Sequence, residues 1–156
     1  MSDYTGPGLY EILPRYAPEM SLNVWGAATT AGTQVKLYQR TKSADNTHFE
    51  IVAAGGTDAK PEKGDREYHI IAACSGLYLT SAGPKAGYIK TELRKPLDST
   101  IRWKIVHCGN GSYRINNVDG KTQLNVAGGG KTSGTDMIGW QFSDGSENTE
   151  FRLMAV

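Results

Sequence analysis

Asn23, Gly26, Tyr38 and Asn46 recur as Asn125, Gly128, Trp140 and Asn148, each 102 residues further along the chain. Each set combines two carboxamides, one flat aromatic ring and one residue without a side chain. A carboxamide donates and accepts in one plane, so it can exchange hydrogen bonds with neighbouring hydroxyl groups. An aromatic ring offers an apolar face against which a ring of C–H bonds can lie. Glycine lets a ligand approach the backbone N–H. Hydroxyls gripped at the edge and a C–H face laid on a plate are what a sugar requires. Asn23, Gly26, Tyr38 and Asn46 therefore form one candidate carbohydrate site, with Trp25 as an extra contact at its rim. Asn125, Gly128, Trp140 and Asn148 form a second.

Both sets belong to a longer internal repeat. Leu22-Asn23-Val24-x-Gly26 returns as Leu124-Asn125-Val126-x-Gly128, Gly32-Thr33 as Gly134-Thr135, and Asn46-Thr47-x-Phe49 as Asn148-Thr149-x-Phe151. A weaker copy lies between them, with Leu79-Thr80-x-x-Gly83 and then Trp103 in the slot of Phe49 and Phe151. There Thr80, Glu92 and Thr100 fill the three side-chain slots, so the plate and both amides are missing together. Taken singly, a strand aromatic or a loop asparagine is more often structural than functional. A structural role, however, would be needed in all three copies. Joint recurrence in two copies and joint loss in the third points to two competent sites and one dead one.

The apolar residues that carry these sets alternate, which is the periodicity of strands. Leu22 and Val24 point one way and Ser21, Asn23 and Trp25 the other; Val35 and Leu37 alternate with Lys36 and Tyr38. Asp119-Gly120, Gly128-Gly129-Gly130 and Asp144-Gly145 supply turns between the runs. About four short strands per copy give about twelve in all. The copies cover residues 8–52, 66–108 and 110–156, and residues 53–65, rich in Gly, Ala, Pro and charge, read as a surface loop. Three four-stranded units cannot bury an apolar face separately. Closed about a pseudo-threefold axis they bury three faces together and lose their open edges. The expected architecture is an all-β, single-domain β-trefoil over residues 1–156; a three-bladed propeller is the formal alternative.

Composition narrows the function. With 17 basic and 16 acidic residues the net charge is +1, which gives no footprint for nucleic acid. No apolar run approaches the ~18 residues of a membrane span, and the opening residues lack the basic and apolar regions of a secretion signal. A cytoplasmic location is expected, with Cys74 and Cys108 as thiols. The segment Asn125 to Thr132 imitates a phosphate-binding loop, but Asn125 stands where that loop needs glycine and no helix follows. His48, His69 and His107 lie in separate segments without ligand spacing, so no metal and no cofactor is expected. No Ser-His-Asp or Cys-His grouping follows from spacing either, so no catalytic residue is assigned.

The tripled pattern resembles the ricin B-type lectins: Tyr10-x-Ile12, Tyr68-x-Ile70 and Tyr113-x-Ile115 near the starts, Leu-Asn-Val-x-Gly, and an aromatic ahead of Asn-x-x-aromatic. Residues 8–52 resemble more closely the Sclerotinia sclerotiorum agglutinin subgroup of fungi, in Gly8-x-Tyr10-Glu11-Ile12-x-Pro14, Ala17-Pro18-x-x-Ser21-Leu22-Asn23 and Asp45-Asn46. The resemblance implies a β-trefoil that binds terminal galactose or N-acetylgalactosamine without catalysis, and a homodimer. It places the polar anchor at Asn23 and Asn125, the stacking ring at Tyr38 and Trp140, and a second polar anchor at Asn46 and Asn148. The chain departs from the wider family in having Asn rather than Asp at the first anchor, and in lacking the Gln-x-Trp mark. Two other functions fit a small all-β domain. A trefoil protease inhibitor would use residues 53–65 as a plug, and a glycosidase would pair carboxylates such as Asp45 or Asp144 across one pocket.

Overall fold

A computed structural model describes residues 2–56, 66–119 and 121–156. Copy one contributes β1 (Gly8–Pro14), β2 (Met20–Val24), β3 (Thr33–Gln39) and β4 (His48–Gly56). Copy two contributes β5 (Arg66–Ala72), β6 (Tyr78–Thr80), β7 (Gly87–Tyr88), β8 (Lys90–Glu92) and β9 (Trp103–His107). Copy three contributes β10 (Tyr113–Asn117), β11 (Thr122–Val126), β12 (Met137–Gln141) and β13 (Phe151–Ala155). Strands β1, β4, β5, β9, β10 and β13 each pair with the next and β13 returns to β1, which closes a barrel without an open edge. Three hairpins, β2–β3, β6–β8 and β11–β12, cap one end. They interlock about the axis: Thr33 pairs with Thr91, Tyr88 with Ile138, and Lys36 bridges Asp136. This is the β-trefoil. Thirteen strands are described rather than about twelve, because the third strand of copy two is broken at the buried Ile89 into β7 and β8.

The repeat is legible in the core as layers of equivalent residues. Ile12, Ile70 and Ile115 form one, Phe49, Trp103 and Phe151 another, and Leu22, Leu79 and Leu124 a third, all without solvent exposure. Each such side chain contributes about 1.5–3 kcal/mol on burial. Trp103 brings an N–H into this core, and the carbonyl of Leu79 accepts it at 3.0 Å, so indole replaces phenyl without leaving a donor unpaired. At the far end Tyr10, Tyr68 and Tyr113 surround Tyr4, whose ring lies 5.5, 6.5 and 5.0 Å from theirs. The N-terminal segment thus plugs the barrel.

Two expectations need correction. Residues 53–56 are not loop: they extend β4 and pair with β5 through a bulge between Ala53 and Gly55. Ladder bonds are made by backbone, so Gly and Ala hide a strand that side-chain pattern would reveal. At Gly55 the missing side chain makes room for Arg102, which binds Glu67; a Cβ would meet the guanidinium at 2.6 Å. The remainder of that segment, residues 57–65, lies outside the described residues. Secondly, β2 does not alternate between buried and exposed faces; all five of its residues are buried. Trp25 is not part of it but opens a short 3-10 turn, Trp25–Ala27.

Candidate functional site

The β2–β3 hairpin of copy one sets Asn23 opposite Lys36 and Ser21 opposite Tyr38, so Asn23 and Tyr38 are diagonal neighbours on the face away from the core. Tyr38 is 46 % exposed. After β2 the chain turns through Gly26 at φ 64°, a left-handed conformation that favours glycine. That turn carries Trp25 up beside Tyr38, with ring centroids 6.2 Å apart and planes at 67°. The ammonium of Lys36 lies 5.2 Å from the Trp25 ring and 3.5 Å from Asp136, which steadies the indole from behind. Asn46 comes from the 3-10 turn Asp45–Thr47, where buried Thr47 donates to the carbonyl of Ala44 at 2.7 Å and leaves Asn46 facing outward. The Asn46 Nδ2 donates to the carbonyl of Val24 at 3.2 Å, which ties this turn to the end of β2.

These elements enclose an open cavity of about 430 Å³ lined by Asn23, Trp25, Gly26, Tyr38, Thr41, Ala44 and Asn46. All five residues assigned from the sequence to copy one line it. Thr41 and Ala44 were not foreseen; they stand in the connection after β3, where no recurrence marks them. Trp25 is a wall set at 67° to the plate rather than a peripheral contact. Asn23 is only 6 % exposed, yet among the described residues its carboxamide makes no hydrogen bond to protein. Its donor and its acceptor are therefore both available to a ligand in the cavity that Asn23 lines. No side chain in the lining carries a formal charge, so the cavity suits a neutral, hydroxyl-rich ligand with an apolar face.

Copy three repeats the backbone but not every wall. Gly128 has φ 60°, Thr149 donates to Ser146 at 2.8 Å, and Trp140 is 45 % exposed. Asn148 donates to the carbonyl of Val126 at 3.1 Å and also to Asn125 Oδ1 at 3.2 Å, so here the two carboxamides hold each other. Ala127 stands in the place of Trp25, which removes the second aromatic wall. The cavity described beside this copy, about 430 Å³, is lined by Tyr16, Gly128, Gly129, Lys131, Glu147 and Asn148. Asn125 and Trp140 are not among its walls. Four of the predicted residues are thus near one another through the β11–β12 hairpin and the Asn148 bonds, but they do not share one enclosure as in copy one.

Copy two keeps a hollow and loses its chemistry. A cavity of about 310 Å³ is lined by Thr80, Ser81, Ala82, Tyr88, Lys90, Glu92, Arg94 and Thr100. Glu92, in the plate's slot, is bound by Arg94. Thr80 donates to Tyr78 at 2.8 Å and Thr100 to Asp98 at 2.6 Å, so both hydroxyls already have acceptors. Bonds from the Thr100 side chain and backbone hold the Asp98 carboxyl below the usual carboxylate range.

The residues match, over positions 45–140, the family described as ricin-type beta-trefoil lectin domain-like. The agglutinin of Sclerotinia sclerotiorum is 31 % identical over 141 residues, which cover 86 % of this chain and 88 % of that protein. Among solved structures, the designed threefold-symmetric protein ThreeFoil superposes with a TM-score of 0.81 at 23 % identity, covering 96 % of this chain and 99 % of the other. The C-terminal half of an earthworm R-type lectin, solved with N-acetylgalactosamine, superposes with a TM-score of 0.69 at 17 % identity, covering 94 % and 98 %. The chain belongs to the ricin-type β-trefoil lectin family: it is a carbohydrate-binding protein and not an enzyme.

Proposed function

We propose that this lectin binds glycans ending in galactose or N-acetylgalactosamine, through Asn23, Trp25, Gly26, Tyr38 and Asn46 in copy one and through Asn125, Gly128, Trp140 and Asn148 in copy three. The observation that carries the reading is the uncharged copy-one cavity with an unengaged carboxamide, an exposed phenol ring and a second aromatic wall around it. The axial hydroxyl of galactose leaves a continuous C–H patch on the opposite face of the ring, which can lie on Tyr38 while Asn23 and Asn46 bond the hydroxyl edge. The earthworm relative solved with N-acetylgalactosamine supports the same sugar class. Two or three hydrogen bonds of ~1 kcal/mol net each and ~1 kcal/mol of stacking give a dissociation constant of about 1–6 mM for a monosaccharide. Two sites on each chain, doubled in a homodimer, would raise avidity on a glycan-bearing surface. The cavity walls of copy one include no carboxylate, which weighs against the glycosidase alternative.

Isothermal titration with methyl β-galactoside, with methyl β-glucoside as the epimer control, tests the proposal. Tyr38→Ala combined with Trp140→Ala should abolish galactoside binding while thermal unfolding stays cooperative, because both rings lie outside the core. Undiminished binding in that double variant would remove the mechanism.

A further inference from the structure

We infer that copy three carries a second subsite, formed by Tyr16 and Lys131, which takes the inner residues of a neutral oligosaccharide whose terminal sugar sits at Trp140. The inference rests on the reading of copy three as a sugar site and deepens it. Its ground is a feature that the threefold scaffold does not explain.

The segment after the first strand of each copy makes the same contact with the preceding copy. The N–H of Arg15 donates to the carbonyl of Glu150 at 2.9 Å, that of Ala73 to His48 at 2.9 Å, and that of Val118 to Arg102 at 3.1 Å. The next residue in each case therefore stands in one equivalent place beside a binding turn: Tyr16 beside copy three, Cys74 beside copy one, Asp119 beside copy two. The other two copies carry a thiol and a carboxylate there, so the threefold scaffold does not dictate a phenol at this place. Lys131 is equally particular to copy three, since Thr29 holds its place in copy one.

Tyr16 is held firmly. Its hydroxyl donates to the carbonyl of Gly130 at 2.6 Å and its ring packs on the edge of the core. The ammonium of Lys131 lies 5.6 Å from the ring centroid. Glu147, on the opposite wall, is largely exposed and 3.5 Å from Arg15. The cavity between them, about 430 Å³, is continuous with Asn148, which also bonds Asn125. A fixed aromatic wall, a flexible ammonium and an accessible carboxylate give one surface for C–H groups, donors for hydroxyl oxygens and acceptors for hydroxyl protons. Asn148 lies at the border of this cavity and the predicted terminal-sugar site, so a linear glycan could run across it from Trp140 to Tyr16. Copy one, with Trp25 against Tyr38, is built instead for a compact terminal ring.

The test uses the full chain with Tyr38→Ala, so that only copy three remains competent. Its affinity for methyl β-galactoside and for a neutral galactose-terminated trisaccharide is measured by titration calorimetry. The trisaccharide should bind about tenfold more tightly, as one added stacking contact and one hydrogen bond allow. Adding Lys131→Ala should cut that advantage about threefold, and adding Tyr16→Ala should erase it; Lys131 is exposed, so its variant stays informative if the Tyr16 change impairs folding. Equal affinity for the two sugars, or an advantage that survives both substitutions, overturns the subsite while leaving copy three a binding site. Failure of both sugars to bind the Tyr38→Ala protein overturns the underlying reading, and the subsite with it.

Discussion

Asn23 and Asn125 occupy equivalent positions, are 6 % and 5 % exposed, and differ in one respect. The Asn23 carboxamide has no protein partner among the described residues, whereas Asn125 Oδ1 accepts from Asn148 at 3.2 Å. Replacement by alanine should therefore separate binding from stability in opposite senses. In Asn23→Ala no protein hydrogen bond is lost and the vacated space opens into the cavity, so stability should change by less than about 0.5 kcal/mol. The ligand loses two bonds of ~1 kcal/mol each, which weakens copy-one affinity by about 30-fold. In Asn125→Ala, Asn148 keeps only its bond to Val126, a loss of ~1 kcal/mol that lowers the melting temperature by about 2–4 °C. Titration calorimetry with methyl β-galactoside on a Trp140→Ala background, so that copy one alone is counted, measures the first effect. Scanning calorimetry of the two single variants measures the second. The reasoning fails if Asn23→Ala keeps its affinity within threefold, or if it lowers the melting temperature more than Asn125→Ala does.

Trp25→Ala removes the second aromatic wall of copy one, worth ~1 kcal/mol, so galactoside affinity there should fall about fivefold by titration; an unchanged value would make the indole a bystander. Arg40→Ala leaves Glu11 buried without the guanidinium that binds it at 2.6 and 2.9 Å, and urea denaturation should show a loss of about 3 kcal/mol; a loss below 1 kcal/mol would refute the pairing. Glu150 tests the acid limb. Burial works to raise its pKa, but bonds from Asn110 and Arg15 and the charges of Arg15 and Arg114 outweigh this and hold it below the ordinary 4.5. A carboxyl depressed in the folded state stabilises above its unfolded pKa and loses that contribution as pH falls through the folded one. Melting temperature should accordingly drop below pH 4.5, and Glu150→Gln should flatten that drop; an unaltered acid limb in the variant would exclude Glu150 as its source.

The trefoil and the copy-one cavity were legible in the sequence because the chain states its structural rule three times. Phe49, Trp103 and Phe151 mark the same core slot, and the joint loss at Thr80, Glu92 and Thr100 marks chemistry that the core does not require. What stayed hidden follows from contacts that a repeat spacing cannot encode. Tyr16 reaches copy three from copy one, so its place beside Lys131 appears only when the copies close on the axis. Trp25 reads as a strand residue by alternation, but the left-handed Gly26 turns it into the cavity wall. Asn125 is engaged by Asn148 while Asn23 is left unengaged, a difference that the shared Asn-to-Asn spacing does not encode. The Ala53–Gly56 portion of β4 carries no apolar pattern because its bonds to β5 are backbone bonds.

The three cavities put shape and chemistry on separate footings. Each copy presents a hollow, of about 430, 310 and 430 Å³, although the lining ranges from aromatic and neutral to an ion pair. The hollow is a by-product of closing three hairpins over a barrel, since each hairpin must turn away from its 3-10 segment to reach the axis. Closure of the fold by itself therefore gives three hollows, and it does not dictate the residues that face into them. Val35, Ile89 and Met137, which meet where the hairpins interlock, are held to large apolar side chains with almost no exposure. A few residues further along β3, β8 and β12, Tyr38, Glu92 and Trp140 lie on the outside and obey no such constraint. Recurrence of one residue set on two of the three outer faces is therefore what points to a ligand, because the scaffold gives no reason for it.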